Sequence, residues 1–157
     1  MALTVGTKAP DFHLHNTEKK EVKLSDFNGK NLVIHFFPAA FTGVCTAQLC
    51  SSRDDLSFYN GLNVSVVGVS VDMLFSLGVF KAQNNINFDL LSDFNKEMIQ
   101  AYDMVQEKFS VGYVNVAKRG VVVIDEGGVI RYVEVTPSPG DQVNFEALKA
   151  AIEKLEY

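Results

Sequence analysis

Near-continuous apolar runs alternate along the chain with segments of helical periodicity. The apolar runs at 32–37, 64–70 and 120–124 are typical of strands buried on both faces of a sheet. Helical spacing follows the first two runs, at 44–59 and 73–83. Strand, helix and strand in this order predict a parallel βαβ unit at the centre of the fold.

Both ends of the chain carry further elements. Two short segments, 12–15 and 22–24, flank a polar turn and predict an N-terminal β-hairpin. Near the other end, the runs 120–124 and 129–135 flank an Asp-Glu-Gly-Gly turn, which is a strong hairpin signal. The amphipathic segment 145–155 predicts a final helix.

The middle of the chain is less regular. We predict a short strand at 88–91, a helix at 97–102 and, because 103–118 has no clear period, a long loop over that segment. The order of elements is that of a thioredoxin-like α/β fold. The chain has 157 residues, the size of one ordinary domain, and shows no repeat or linker. We therefore expect a single thioredoxin-like α/β domain over 1–157, extended by the N-terminal hairpin.

Charge and hydropathy exclude several classes of function. A formal net charge of −5 argues against general binding to nucleic acid or anionic membranes, which requires clustered Lys and Arg. The most apolar stretch, 64–80, is interrupted by Asp72, so we expect no membrane segment. The N-terminus does not read as a signal peptide, and we expect a cytoplasmic protein. Small molecules and other proteins remain as partners.

The two cysteines, Cys45 and Cys50, are too few for a disulfide framework. In a reducing compartment such a pair favours a catalytic over a structural role. A thiol–disulfide oxidoreductase would normally carry Cys-x-x-Cys, whereas four residues separate these cysteines.

The segment 37–45 runs from the end of a predicted buried strand into a helix, with Cys45 near the helix start. Free N–H groups and the positive end of the helix dipole stabilise a thiolate at such a position. Thr42 supplies a hydroxyl that could orient a peroxide oxygen or hydrogen-bond the thiolate, and Pro38 removes a competing donor and shields the sulfur. Arg119, just before the strand 120–124, is placed to bring a cation to the same helix.

At these residues the chain resembles the peroxiredoxins. Pro38, Thr42 and Cys45 match the family pattern Pro-x-x-x-Thr-x-x-Cys, and Arg119 matches the position of the family's active-site arginine. The resemblance extends over most of the chain, including 9–12, 24–27, 68–72, 90–93 and the final hairpin. It implies reduction of hydrogen peroxide and organic hydroperoxides through a sulfenic acid on Cys45, without a metal or other cofactor. It also implies a thiol reductant such as thioredoxin, glutaredoxin or a low-molecular-weight thiol.

The chain mixes features of two peroxiredoxin groups. Its segment 37–45 resembles the AhpE-like group, in which many members use one cysteine, whereas Cys50 and Gln48 are similar to the peroxiredoxin Q group, in which Cys50 would resolve the sulfenic acid. Two alternatives therefore stay open: an internal Cys45–Cys50 disulfide, or a one-cysteine peroxidase or redox sensor resolved by an external thiol. Resemblance to the AhpE-like group and the apolar segment 39–41 suggest a homodimer.

The three histidines are expected to lie outside the catalytic site. His35 alternates with apolar residues on a buried strand and is predicted to be a hydrogen-bonded structural residue. His13 and His15 lie two residues apart on the N-terminal hairpin, and no third ligand near them in sequence completes a metal site. We interpret them as surface residues.

Overall fold

Residues 3–155 are described by the computed structural model, and they form nine strands and five α-helices. The strands are β1 (His13–Asn16), β2 (Glu21–Lys23), β3 (Asn31–Phe36), β4 (Val64–Ser70), β5 (Asp89–Ser92), β6 (Val105–Lys108), β7 (Val114–Ala117), β8 (Gly120–Ile124) and β9 (Ile130–Val135). The helices are α1 (Gly43–Asp54), α2 (Leu56–Gly61), α3 (Leu74–Gln83), α4 (Glu97–Ala101) and α5 (Phe145–Glu153). Two short 3₁₀ helices, Leu24–Phe27 and Ser110–Gly112, complete the elements.

Seven strands form one mixed sheet in the order β2-β1-β5-β4-β3-β8-β9. The central strand β3 runs parallel to β4 and antiparallel to β8, and all six of its residues are buried. Its continuous apolar run follows from this position, since layers of side chains cover both faces of the sheet. The predicted α/β fold is confirmed, with a thioredoxin-like arrangement of strands around β3 and β4.

The predicted N-terminal hairpin is confirmed, and it has a further role. Strand β1 pairs antiparallel with β2 on one side and with β5 on the other, where His15 is opposite Ser92. The hairpin therefore extends the central sheet at the edge distant from β9. The second hairpin, β8 with β9, and the final helix α5 are also present as predicted.

The prediction of a long loop over 103–118 is wrong. Strands β6 and β7 lie in this segment and form a separate two-stranded antiparallel sheet, with Val105 opposite Ala117. Most of their residues are half-buried or exposed, so the alternation of apolar and polar residues that marks a half-buried strand is missing. The turn between them contains Val111 and Gly112, both with positive φ.

The single helix expected over 44–59 is divided into α1 and α2 at Asp55. The backbone of Asp55 leaves the helical region, at φ −98° and ψ 8°, and its carboxylate pairs with Lys149 of α5 at 2.8 Å. Apolar residues keep their spacing across this break, so the pattern does not reveal it.

Two apolar clusters lie on opposite faces of the sheet. One contains Phe12, Phe36 and Tyr102, and the other contains Phe37, Leu49 and Cys45. Cys45 is thus part of the core between the sheet and α1, and the candidate site lies at the carboxyl end of β3.

Candidate active site

The loop from β3 to α1 is held by the neighbouring strand. The backbone N–H of Phe37 donates to the carbonyl of Val69 at 3.1 Å, and that of Ala40 donates to Oδ2 of Asp72 at 2.8 Å. The same carboxylate oxygen accepts from the hydroxyl of Ser70 at 2.7 Å. Asp72 therefore ties this loop to the end of β4, a role that the sequence reasoning did not find.

The loop turns into α1 at Phe41, which has a left-handed backbone with φ of 68°. A bulky residue with positive φ is uncommon and costs free energy. The ring of Phe41 packs edge-on against Phe80, with ring centroids 5.3 Å apart, although the residue is 54% exposed. Pro38 is buried directly after the strand.

Cys45 is the third residue of α1 and its side chain is fully buried. Thr46 is the first residue whose N–H closes a helical turn, donating to the carbonyl of Thr42 at 2.9 Å. The N–H groups of the three preceding residues belong to the helix start, where they have no partner within the helix. Sγ of Cys45 therefore lies at the positive end of the helix dipole.

Arg119 reaches the sulfur from the position just before β8, the strand next to β3. Phe36 of β3 is opposite Gly120 of β8, so Arg119 comes level with the start of the loop into α1. Its Nη2 atom donates to Sγ of Cys45 at 3.0 Å, its Nη1 donates to Oε1 of Gln48 at 2.8 Å, and its Nε donates to the carbonyl of Pro139 at 2.9 Å. Each of the three guanidinium nitrogens therefore has a hydrogen-bond acceptor, and together these contacts hold the group in one orientation.

The charge of this arginine has no carboxylate partner. Arg119 is 3% exposed, and among residues 3–155 no Asp or Glu forms an ion pair with it. A buried, unpaired cation is costly, and a nearby anion reduces this cost. The guanidinium charge of Arg119 is therefore directed at the sulfur of Cys45.

Among the hydrogen bonds of residues 3–155, none joins Thr42 or Cys50 to the sulfur of Cys45. The hydroxyl of Thr42 donates to the carbonyl of Ala39 at 2.8 Å rather than to Cys45. Cys50 lies further along the unbroken helix α1, is half-buried, and is a free thiol, as Cys45 is. The structure thus joins Cys45 with Arg119, and leaves Cys50 apart.

A buried polar group behind Arg119 was missed as part of the site. Gln48, one turn after Cys45, is fully buried and accepts from Arg119, and its amide nitrogen lies 3.1 Å from Nδ1 of His35. His35 is buried and hydrogen-bonded, as predicted. Two signals in the sequence could have assigned it to this site: its helical spacing from Cys45 and its similarity to the peroxiredoxin Q group.

The other two histidines lie on β1, the strand next to the edge strand β2. His13 and His15 are exposed on β1, and His13 pairs with Glu21 at 3.2 Å. Within residues 3–155, no cluster of three or more His, Cys, Asp or Glu side chains is suited to bind a metal ion. None of the helices in this part of the chain is long and apolar enough to span a bilayer.

A thioredoxin-like sheet with a cysteine at a helix start and a guanidinium on its sulfur defines a thiol-based oxidoreductase. Residues 5–133 match the model of the AhpC/TSA family. Alkyl hydroperoxide reductase E of Mycobacterium tuberculosis is 34% identical over 142 residues, covering 88% of this chain and 89% of that protein. Peroxiredoxin Bcp of Bacillus subtilis is 32% identical over 133 residues, covering 83% and 85%.

Solved structures agree with these relatives. The reduced 2-Cys peroxiredoxin of Plasmodium vivax superposes with a TM-score of 0.84 at 26% identity, covering 98% of this chain and 97% of that one. Peroxidoxin BcpB of M. tuberculosis shares the fold, with a TM-score of 0.87 at 23% identity and 99% coverage of both chains. The chain belongs to the AhpC/TSA family of peroxiredoxins. It is a thiol-dependent peroxidase.

Proposed function

We propose that Cys45 is the residue that reacts with peroxide, and that Arg119 stabilises both its thiolate and the oxygen that leaves. The observation that carries the proposal is the 3.0 Å contact from Nη2 of Arg119 to Sγ of Cys45. A charge-assisted hydrogen bond of this kind contributes about 1.5–3 kcal/mol, which corresponds to roughly ten- to hundredfold in rate.

The first step transfers one oxygen atom to the sulfur. The thiolate of Cys45 attacks the nearer peroxide oxygen, so that an S–O bond forms while the O–O bond breaks. The other oxygen leaves as hydroxide or alkoxide and takes up a proton. The sulfur is oxidised by two electrons to a sulfenic acid and the peroxide is reduced to water or an alcohol. Hydrogen peroxide and organic hydroperoxides both fit this chemistry.

Thr42 and Pro38 complete the proposed site around the peroxide. Because the hydroxyl hydrogen of Thr42 is donated to Ala39, the lone pairs of its oxygen remain to accept the hydrogen of a hydroperoxide. Pro38 is buried at the end of β3 and has no N–H that could compete for the substrate. The two residues would orient the peroxide so that its O–O bond faces the sulfur.

Cys50 is proposed to resolve the sulfenic acid. Its thiolate would attack the sulfur of Cys45, forming an S–S bond and releasing hydroxide, which is protonated to water. On an intact helix, positions five residues apart lie roughly 8.6 Å apart and face different directions, whereas a disulfide needs Cα atoms within about 7 Å. The first turns of α1 must therefore unwind.

Features of the helix start favour this unwinding. Thr42 precedes the first helical residue but makes no side-chain capping hydrogen bond, and the first residue is Gly43. An absent cap and a glycine both lower the stability of a helical turn. If α1 instead stays intact, an external thiol would resolve Cys45, and the chain would work as a one-cysteine peroxidase or redox sensor.

The reductant and the assembly belong to the same proposal. The disulfide or sulfenic acid needs two electrons per turnover, which thioredoxin, glutaredoxin or a low-molecular-weight thiol would supply. Phe41 and Met73, 54% and 48% exposed, present apolar surface that would suit a homodimer. Sedimentation at micromolar concentration tests the dimer.

Intact-mass analysis after one equivalent of peroxide tests the chemistry. Gain of one oxygen indicates the sulfenic acid, loss of two hydrogens indicates the Cys45–Cys50 disulfide, and a doubled mass indicates a linked dimer. Cys45→Ser should give none of these products. Equal oxidation of the Cys45→Ser protein would contradict the assignment of Cys45.

A further inference from the structure

Hydrogen bonds continue from the active-site arginine into the core through three buried side chains. Nη1 of Arg119 contacts Oε1 of Gln48, Nε2 of Gln48 contacts Nδ1 of His35 at 3.1 Å, and Nε2 of His35 contacts Oγ of Ser52 at 2.7 Å. Gln48, His35 and Ser52 are all fully buried. Polar groups in such a position are costly unless each hydrogen bond has a donor and an acceptor.

Because a guanidinium has only donors, Arg119 determines which partner donates in each hydrogen bond of this network. A guanidinium can only donate, so the atom of Gln48 that faces Arg119 must be the oxygen. The amide nitrogen of Gln48 then faces His35 and donates one hydrogen to Nδ1 and the other to the carbonyl of Phe36 at 3.3 Å. Nδ1 of His35 is therefore an acceptor and carries no hydrogen.

A neutral imidazole with a bare Nδ1 carries its hydrogen on Nε2, which donates it to Oγ of Ser52. A cationic His35 would place an N–H against the amide N–H of Gln48, two donors facing each other. The ring is also wholly buried, and burial lowers the pKa of His35 from 6.5 to about 3. Around the ring lie Gln48, Ser52 and the ring of Phe145, and none of these carries a charge.

We propose that His35, in its neutral Nε2–H tautomer with Ser52 as the acceptor, is a positioning residue that orients the amide of Gln48 and, through it, Arg119. The two orientations of a glutamine amide are nearly identical in shape, and they differ in which end accepts. An acceptor at Nδ1 selects the orientation that offers the amide oxygen to Arg119. The flipped amide would place its N–H groups against those of Arg119 and its oxygen against the bare Nδ1 of His35. Because Gln48 and His35 are both neutral, the charge of Arg119 stays available to Cys45.

This inference rests on the proposed role of Arg119, and it predicts a measurable effect of His35 on the rate of Cys45 oxidation. The carbonyl of Phe36 also accepts from the Gln48 amide, so removing His35 should weaken the orientation rather than abolish it. Loss of one neutral hydrogen bond predicts that His35→Phe slows oxidation of Cys45 by roughly three- to tenfold.

A double-mutant cycle distinguishes positioning from a general structural effect. Stopped-flow rates of peroxide reaction would be compared for the wild type, His35→Phe, Arg119→Met and the double variant. If His35 acts through Arg119, His35→Phe has no further effect once Arg119 is replaced. An equal slowing in both backgrounds would overturn the proposal. An unchanged Arg119→Met rate would instead reject the proposed function of Arg119, and with it any catalytic effect of His35.

Nitrogen-15 NMR of the imidazole rings tests the hydrogen-bond assignment without any activity measurement. The chain has three histidines, so His13→Gln and His15→Gln variants identify the signals of His35 without altering the core. We expect a hydrogen on Nε2 and none on Nδ1 at pH 5–8. In Gln48→Glu a carboxylate oxygen would face Nδ1, and the hydrogen should move to that nitrogen. A hydrogen on Nδ1 of the wild type would refute the proposal, even if His35→Phe did not fold.

Discussion

Nη2 of Arg119 lies 3.0 Å from Sγ of Cys45, and the other guanidinium nitrogens contact an amide oxygen and a backbone carbonyl rather than carboxylates. The positive charge is thereby fixed in place without being neutralised. Such an arrangement is preorganised for a reaction in which negative charge moves from a sulfur to a leaving oxygen, because no reorientation of the cation is needed.

Replacement of this cation should slow the first step. We expect Arg119→Met to lower the rate constant for oxidation of Cys45 at least tenfold, since about 1.5–3 kcal/mol of charge-assisted stabilisation is lost. Stopped-flow measurement decides it. Arg131→Met is a matched control, because Arg131 is half-exposed and pairs with Asp125. A similar loss in both variants would count against a specific role.

Substitution of the Cys45 sulfur should abolish turnover without unfolding the protein. Cys45→Ser replaces one atom in a fully buried, nearly isosteric position. Peroxide consumption with a recycling thiol is expected to disappear while the circular dichroism spectrum stays unchanged. Cys50→Ser is the control and should retain the first oxidation. Peroxidase turnover by folded Cys45→Ser would move the active site elsewhere.

Two glycines next to the site should differ in their tolerance of a methyl group. A Cβ on Gly120 would lie 2.6 Å from the backbone oxygen of Glu134, whereas a Cβ on Gly68 would lie 2.8 Å from the end of the Leu90 side chain. Backbone in a paired strand cannot move aside, but a side-chain terminus can. Overpacking costs typically about 1–3 kcal/mol, so we expect Gly120→Ala near the upper value and Gly68→Ala near the lower.

Urea unfolding at neutral pH measures both glycine variants. Gly120→Ala should also slow the reaction with peroxide, because it shifts the strand start that carries Arg119. A Gly120→Ala protein as stable as Gly68→Ala would show that the β8–β9 pairing is more adaptable than its geometry indicates.

The pH dependence of stability should contain a contribution from His35. Burial lowers its pKa from 6.5 to about 3, so between these values the unfolded chain binds a proton that the folded protein excludes. Stability is therefore lost as the pH falls below 6.5, by up to about 1.4 kcal/mol per pH unit. Between pH 7 and pH 5 the wild type should lose about 2 kcal/mol more than His35→Phe. If the free energy of unfolding, measured with urea, falls equally in the two proteins between pH 7 and pH 5, this prediction is wrong.

Local patterns predicted the elements that form the turn from β3 into α1. Pro38, Thr42 and Cys45 lie within one strand-to-helix connection, whose signals are a buried apolar run, a proline and a helical period. Arg119 could be predicted because it precedes a strand of the same sheet. The network of Gln48, His35 and Ser52 could not, because it depends on strand register and on which side chains face each other inside the core.

The segments that were mispredicted share a physical cause. Strands β6 and β7 lie at the surface, so burial imposes no alternation on their residues. The break at Asp55 changes the helix without changing the face that it buries. Hydrophobic patterning reflects which residues are buried. Neither the surface strands β6 and β7 nor the helix break at Asp55 changes that pattern.

Formation of a Cys45–Cys50 disulfide should require loss of helix. Both cysteines lie in α1 and both are free. Five residues of α-helix give about 7.5 Å of rise and about 140° of rotation, which directs the two side chains to different faces. Bridging them breaks several backbone hydrogen bonds at the start of α1. The contact from Arg119 to the sulfur must also be given up, since Sγ of Cys45 leaves its buried position.

Resolution is therefore expected to be a gated step, slower than the attack on peroxide. A slow gate leaves the sulfenic acid exposed to a second peroxide molecule, so some sulfinic acid should form at high peroxide concentration. Far-UV circular dichroism should show a small loss of helix on oxidation of the wild type and none for Cys50→Ser. Peptide mass spectrometry should find the Cys45–Cys50 disulfide. If the wild type stops at sulfenic acid while Cys50 can still be alkylated, Cys50 has no resolving role, and an external thiol must complete each turnover.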